Sequence, residues 1–343
     1  MRYRALGRTG MQVSEVGFGC GNVGGLMVRG SQLEQMVAVR RAVDLGFNYF
    51  DTAPSYGDTL SEANLGKVLT ALRPDVFVGT KVGIGPGNPG ETTFSDIKGS
   101  VARSLELSLK RLQRDHVDVL YLHNPITKER GAKRGSIGLD DVLDRGGVLD
   151  ALEDVKAQGL ARNIGFTALG DTEAVHAAIE SGRFDVAQFY YNLLNPSAGD
   201  LVAPGFYGQD FRQAMAKARV RGMGAVVIRV MAGGALAGAK AREGYASPTV
   251  GGEMAEGGDY AGDAERAAQM EFLSTEFTQS MSEAALRFAL STPAASTALV
   301  GFSNLSQVVE AAAAGEAGPL PDAALRLVHE VWAAASTGGY TIA

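Results

Sequence analysis

Short apolar runs alternate with amphipathic stretches along almost the whole chain. Eight runs read as strands: residues 15–19, 47–51, 76–80, 117–123, 162–166, 186–190, 225–229 and 297–300. They are rich in Val, Ile and Phe and show no clean polar alternation, the pattern of a strand covered on both faces. Helical periodicity fills the gaps over 32–45, 61–72, 95–112, 147–158, 171–181, 211–221, 264–277 and 282–291, with a final stretch at 305–314. In the stretch 95–112, Ile97, Val101, Leu105 and Leu109 share one face at helical spacing. Ser61 is placed to cap the helix over 61–72, and Gly46 to end the one over 32–45.

Strand–helix alternation of this length permits an open doubly wound sheet or a closed barrel. The open sheet normally starts a helix directly behind a glycine fingerprint after its first strand. The segment Gly17-Phe-Gly-Cys-Gly-Asn-Val-Gly-Gly25 is glycine-rich, but no helical pattern follows it at once. The expectation is therefore an α/β fold, a (β/α)8 TIM barrel built as a single domain over residues 1–343. Residues 3–13 read as an N-terminal β-hairpin, turning over 7–10, that caps the barrel floor. Three stretches, 124–145, 192–209 and 238–263, are too long for simple turns. Each follows a strand, which places it on the C-terminal face, where barrel active sites lie.

Charge and composition narrow the function. Lys+Arg 32 against Asp+Glu 38 leave a net charge of -6, so no nucleic-acid partner is expected. No apolar run reaches the roughly 18 residues of a membrane span, so no membrane partner is expected either. The first ten residues carry Arg2, Arg4 and Arg8 and no apolar core, so no secretion signal is read. With Cys20 the single cysteine, the chain reads as cytoplasmic. His116, His123, His176 and His329 fall in no local zinc spacing, so no metal is expected.

Candidate chemistry gathers at three successive strand ends. Asp51 ends the second run and Tyr56 follows five residues later, Lys81 closes the third and His123 the fourth. Strand ends on adjacent staves of a barrel converge. A tyrosine phenol titrates near 10, and a neighbouring ammonium lowers that value. Asp51 would hold Lys81 charged, and His123 would orient a carbonyl oxygen. The set amounts to a general acid aimed at an oxygen that becomes an alkoxide as hydride arrives. Asp51 alone reads as a turn cap and Lys81 alone as its salt partner; the four together at consecutive strand ends point to catalysis. His116, His176, His329 and Trp332 read as packing or surface groups, and Cys20 as a small buried hydrophobe.

The sequence resembles the aldo-keto reductase superfamily over nearly its whole length, from Leu6-Gly-Arg-Thr-Gly-Met-Gln-Val-Ser14 to past Glu310. Phe50-Asp-Thr-Ala-Pro-Ser-Tyr-Gly57, Ser61-Glu-Ala-Asn-Leu-Gly66, Val117-Asp-Val-Leu-Tyr-Leu-His123 and Val300-Gly-Phe-Ser-Asn304 with Gln307 carry the likeness. It implies that Asp51, Tyr56, Lys81 and His123 form a catalytic tetrad, and that a nicotinamide cofactor binds without a Rossmann fold. Gln188 and Thr167 match the family's carboxamide contacts, while Ala168 replaces the usual asparagine. After the seventh strand the family places an aromatic and a serine; here stand Ile228, Arg229, Val230 and Met231. Ile228 and Met231 would cover the ring, and Arg229 would grip the pyrophosphate. Gly21, Gly233 and Gly301 complete the expected cofactor contacts. At the adenine end Gln307 and Glu310 match, Ala311 replaces an asparagine, and Ser303 stands where many members carry a cation for the 2′-phosphate. No Lys or Arg occurs over 298–317. NADP(H) is favoured and NAD(H) stays open.

The expected activity is reduction of a small-molecule aldehyde or ketone to an alcohol with NAD(P)H. An alternative within the family is an NAD-dependent aldose or pyridoxal-type dehydrogenase working in the oxidative direction. A further one is a cofactor-sensing binding subunit of the kind found on channels. The loops 124–145 and 192–209 and the tail 336–343 would shape substrate choice, with Tyr207 and Tyr340 lining the pocket or packing. The substrate and the oligomeric state are not legible.

Overall fold

The covered strands close a ring. In a computed structural model, which describes residues 1–238, 244–247 and 260–336, a hairpin of β1 (Tyr3–Ala5) and β2 (Gln12–Ser14) precedes β3 (Val16–Gly19), β4 (Tyr49–Asp51), β5 (Phe77–Val82) and β6 (Val117–Leu122). A short pair, β7 (Ile126–Thr127) and β8 (Ile137–Gly138), is followed by β9 (Ala161–Thr167), β10 (Val186–Tyr190), β11 (Gly224–Ile228) and β12 (Thr297–Gly301). The barrel order is β3-β4-β5-β6-β9-β10-β11-β12, every pairing is parallel, and β12 returns to β3.

Side chains alternate along each strand, so the barrel strands between them feed two cores. Phe18, Phe50, Val78, Leu120, Phe166 and Val227 join the large cluster shared with the helices. Residues of the other parity, including Val119, Val186, Val226 and Leu299, form a second cluster with Leu6, Met11 and Val13 of the hairpin. The hairpin thus plugs the N-terminal end of the barrel, as expected from sequence.

The helices are α1 (Leu26–Arg29), α2 (Gln32–Asp44), α3 (Leu60–Leu72), α4 (Ile97–Leu112), α5 (Leu139–Leu143), α6 (Val148–Ala157) and α7 (Thr172–Glu180). They continue with α8 (Ala214–Val220), α9 (Tyr260–Ala268), α10 (Phe272–Glu276), α11 (Met281–Ser291), α12 (Leu305–Ala317) and α13 (Asp322–Ser336). Helix α2 opens on a capping box between Ser31 and Glu34, and Gly46, at φ 91°, follows its end. Helix α4 opens where the Asp96 carboxylate accepts from Gly99 N at 2.9 Å, and buries Val101 and Leu105.

Four expectations need correction. Ser61 is not a cap: α3 begins at Leu60, and the fully buried Ser61 Oγ donates to Cys20 O and meets Thr52 Oγ1, both at 2.8 Å. The stretch 264–277 is two helices, α9 and α10, broken between residues 268 and 272. A four-residue helix, α1, does open behind Gly25, although the closed barrel removes its bearing on fold. Helix α13 was not expected, yet Ala324, Val328 and Val331 are buried at helical spacing. Among the described residues no helix is long and apolar enough to cross a membrane.

Of the three long stretches, 124–145 contains β7, β8 and α5. The second, 192–209, has no regular element and is pinned by Trp332, whose Nε1 donates to Leu193 O at 2.9 Å. Most of 238–263, together with Tyr340 and the tail after Ser336, lies outside the described residues.

Candidate active site

The parity that buries Val119 inside the barrel also aims Asp51, Lys81, Thr167 and Gln188 inward at the C-terminal end of their strands. All four are buried. The Lys81 ammonium donates to Asp51 Oδ1 at 2.5 Å and to Thr52 O at 2.8 Å, and lies 4.7 Å from the centroid of the Tyr56 ring. The other carboxylate oxygen, Asp51 Oδ2, accepts from Gln188 Nε2 at 2.6 Å.

Tyr56 is set by a tight turn behind β4. Tyr56 N donates to Ala53 O at 3.1 Å, and Gly57, Asp58 and Thr59 all have positive φ. Gly57 donates its N–H to Asn22 Oδ1 at 2.7 Å, and a Cβ there would stand 2.3 Å from Val28 Cγ1, so only glycine fits. His123 follows β6, with its N–H on Val82 O at 2.8 Å. Its ring meets Tyr56 edge-on, centroids 5.8 Å apart, and its Nδ1 lies 3.4 Å from Ser55 Oγ. With Ser55 donating, the imidazole proton sits on Nε2. Tyr56 and His123 are half-buried, the accessible pair above a sealed charged pair.

Burial dominates the electrostatics. It lowers His123 to about 3, helped by the positive charges of Lys81 and Arg229, so the imidazole is neutral. It raises Asp51, with Lys81 and Gln188 pulling the other way. Burial works against the Lys81 charge, but Asp51 and then Tyr56 outweigh it, and the ammonium is held above its ordinary value. Tyr56 is raised as well, by burial first; Lys81 is the main counterweight, and Arg229 adds to it. The acidified phenol expected from sequence is thus corrected: with burial included, the phenol is protonated, and Lys81 limits how weak an acid it becomes.

The expected cofactor contacts divide into two groups. Around the tetrad, Thr167 Oγ1 is buried with no hydrogen-bond partner among the described residues. An orphaned hydroxyl beside an amide is a donor–acceptor pair suited to a carboxamide, so this end of the site fits a nicotinamide. A Cβ on Gly21 would sit 3.7 Å from the Tyr56 ring. Ile228 and Met231 are half-buried at the end of β11, with Gly233 just beyond at φ 67°. Arg229 holds φ 61°, its carbonyl accepts from Asn192 Nδ2 at 3.0 Å, and its charge reaches both Tyr56 and His123.

The second group stands behind β12. Gly301 is exposed, Ser303 Oγ donates to Gly24 O at 2.7 Å, and Ser303 N donates to Gln307 Oε1 at 2.7 Å. Glu310 is exposed on α12. Ser303 and Gln307 therefore touch each other, and Ser303 also ties this turn to the loop behind β3.

Sequence reasoning missed Tyr49 and Tyr121, which lie two residues before Asp51 and His123 on the same inward parity. The period of two along β4 and β6 was the available signal. Tyr207 packs: its ring lies 4.1 Å from the Arg266 guanidinium, and its hydroxyl donates to Leu194 O.

Comparison with known proteins gives a consistent likeness. The model of the Aldo/keto reductase family matches residues 15–333. The chain is 40% identical to L-galactose dehydrogenase of Arabidopsis thaliana over 169 residues, a match spanning 48% of either chain, about half the length of that relative. It is 28% identical to pyridoxal 4-dehydrogenase of Microbacterium luteolum over 335 residues, 89% of this chain and 90% of that one. The holo form of an aldo-keto reductase from Bacillus halodurans superposes with a TM-score of 0.70 at 23% identity, over 96% of both chains, a likeness of fold.

Proposed function

This chain belongs to the aldo/keto reductase family and is an oxidoreductase, and from that premise we propose that it transfers hydride between NAD(P)H and an aldehyde or ketone, with Tyr56 as the proton donor. The observation that carries this reading is the Lys81 ammonium, held by Asp51 Oδ1 at 2.5 Å and lying 4.7 Å from the Tyr56 ring. A nicotinamide cofactor supplies the hydride when bound. Thr167 and Gln188 would hold its carboxamide, Ile228 and Met231 would cover its ring, and Arg229 would grip its phosphates. Gly21, Gly233, Gly301, Ser303, Gln307 and Glu310 would line the remainder.

The neutral His123 donates from Nε2 to the substrate carbonyl oxygen and orients it. Tyr56 gives its proton to that oxygen as negative charge develops there. Lys81 stabilises the phenolate left behind, and Asp51 keeps Lys81 charged and in place.

The test is turnover on a panel of aldehydes, ketones and alcohols in both directions, with Tyr56→Phe as control. The variant is expected to lose roughly 10²–10⁴-fold in kcat; undiminished turnover refutes the assignment. Cofactor binding without turnover by the parent would favour the binding-subunit reading. Arg229→Ser is expected to weaken cofactor affinity, and an unchanged Kd removes that role.

A second reading, oxidation of an aldose or pyridoxal-type alcohol with NAD, is favoured by one observation. Ser303 Oγ is committed to Gly24 O, and no Lys or Arg stands over 298–317 to pair with a 2′-phosphate. The sequence expectation prefers NADP(H). Titration of the parent with NADPH and with NADH decides between them.

A further inference from the structure

Behind the charged pair lies a set of hydroxyls that the proposed mechanism does not use. Thr52 and Ser61 are both fully buried, and their side-chain oxygens lie 2.8 Å apart. Ser61 Oγ also stands 2.8 Å from Cys20 O. A carbonyl can only accept, so the Ser61 hydroxyl proton goes to Cys20 O, and the Thr52 hydroxyl donates to Ser61. The line has one direction, from Thr52 through Ser61 to the loop behind β3.

This line braces the supports of the reacting groups. Thr52 follows Asp51, and its carbonyl accepts from the Lys81 ammonium at 2.8 Å. Its N–H donates to Gly79 O at 2.9 Å, one step past the last paired residue of β4. With N–H and hydroxyl both tied, the carbonyl of residue 52 is left aimed at Lys81. Cys20 N donates to Asp51 O at 2.9 Å, which fixes the acceptor of Ser61 to the same strand end. The serine reaches the phenol side as well, through its backbone N–H on Tyr56 O at 3.2 Å. Ser61 therefore grips both ends of the turn from Thr52 to Tyr56. One end of that turn anchors the ammonium, and the other carries the phenol. An apolar pair could fill the same space without the desolvation penalty of two buried hydroxyls.

We propose that Ser61 and Thr52 are positioning residues for the reaction: their hydroxyl bond fixes this turn, so that the Lys81 ammonium, resting on the Thr52 carbonyl, stays beside the Tyr56 ring. The inference rests on the reading of Tyr56 as proton donor. Lys81 donates to Asp51 Oδ1 at 2.5 Å and to Thr52 O at 2.8 Å. Once the hydroxyl bond is cut, the Thr52 carbonyl turns, and the ammonium settles toward the carboxylate. It then lies further from Tyr56, and the phenol becomes a weaker acid.

The experiment compares Thr52→Val, Thr52→Ser, Ser61→Ala, the double variant Thr52→Val with Ser61→Ala, and Tyr56→Phe. It reads kcat and KM against pH in both directions, together with urea stability. Ser61→Ala leaves the Thr52 donor buried without its acceptor and is expected to lose the most stability. The double variant removes both partners and is expected to regain part of it. Thr52→Val, the double variant and Ser61→Ala are all expected to show kcat lower on the order of fivefold, with KM within about twofold of the parent. In each, the rise of oxidative kcat with pH is displaced to higher pH. Thr52→Ser keeps the hydroxyl and is expected to restore both. A parent kcat–pH profile in Thr52→Val overturns the proposal, as does a double variant that recovers turnover along with stability, or a Thr52→Ser variant as impaired as Thr52→Val. Full turnover in Tyr56→Phe, which keeps both hydroxyls, instead overturns the proton-donor reading beneath it.

Discussion

Removing the Lys81 charge while keeping its volume is the sharpest test of the electrostatic argument. Lys81→Met leaves a side chain of similar length at a position that is 1% exposed. With the ammonium 4.7 Å from the Tyr56 ring centroid, an effective dielectric near 20 gives an interaction of about 3.5 kcal/mol with a full phenolate charge. That sets an upper scale of roughly 10²–10³-fold in kcat, less in proportion as the transition state carries only part of the charge. Stability is affected separately. Asp51 loses its partner at Oδ1, and breaking a buried pair from one side costs about 3–5 kcal/mol. Burial already raises Asp51, so in the variant the carboxyl takes up a proton and the deficit shrinks as pH falls. Pairing Lys81→Met with Asp51→Asn removes both charges. Urea midpoints are then expected to recover while kcat stays low. A single variant within about threefold of the parent kcat, or a double variant that regains turnover, refutes the argument.

Thr167→Val keeps shape and deletes a buried hydroxyl that has no partner among the described residues. It is expected to leave stability unchanged or improved while raising the cofactor Kd by about tenfold, and an unchanged Kd in a titration counts against the carboxamide contact. Gly57→Ala places a methyl 2.3 Å from Val28 Cγ1 at a φ of 59°, so it is expected to displace Tyr56 and lower kcat more than affinity; parent kinetics would show the turn is not what sets the phenol. His123 is depressed from 6.5 to about 3. A base depressed on folding binds fewer protons folded than unfolded, so stability is lost as pH falls through that window. His123→Gln is expected to flatten the urea midpoint against pH there, and parallel curves would refute it.

The barrel was legible because its strands are covered on both faces and its helices on one, and both patterns survive in the residue order. Asp51, Lys81 and His123 were legible for a related reason: a polar residue ending an otherwise apolar run has little structural work to do there. The misses share a different cause. Ser61 looked like a cap because cap preference is local, whereas its hydroxyl is consumed by Cys20 O and Thr52 across 41 and 9 residues of sequence. Helix α13 was missed because the reading stopped at the stretch 305–314, yet its Ala324, Val328 and Val331 are buried at helical spacing. The sign of the Tyr56 shift was misjudged because sequence displays the neighbouring charge and conceals the burial. Tyr49 and Tyr121 look like ordinary strand aromatics, and only the closed barrel brings their hydroxyls within 2.6 Å of each other.

Charge and accessibility are separated in this site, and the separation constrains its ligand. Burying an ammonium and a carboxylate is expensive, several kcal/mol per ion. Here Lys81 donates to Asp51 Oδ1 and Thr52 O, while Asp51 Oδ2 accepts from Gln188. In return, the Lys81 field acts on the Tyr56 oxygen through a poorly screening interior instead of through water. What faces the mouth from this cluster is neutral, a protonated phenol and an uncharged imidazole. Arg229, half-buried at the end of β11, adds a positive charge beside them. A ligand complex that is uncharged at its reacting carbonyl and anionic further along matches that gradient. Moving the cation inward, next to the carbonyl, would instead reward substrates that carry their own carboxylate there. A panel pairing neutral aldehydes with their carboxylated analogues, run on the parent and on Arg229→Ser, reads the gradient directly: loss of cofactor affinity without a change in preference places the cation on phosphate, and a change in preference places it on substrate.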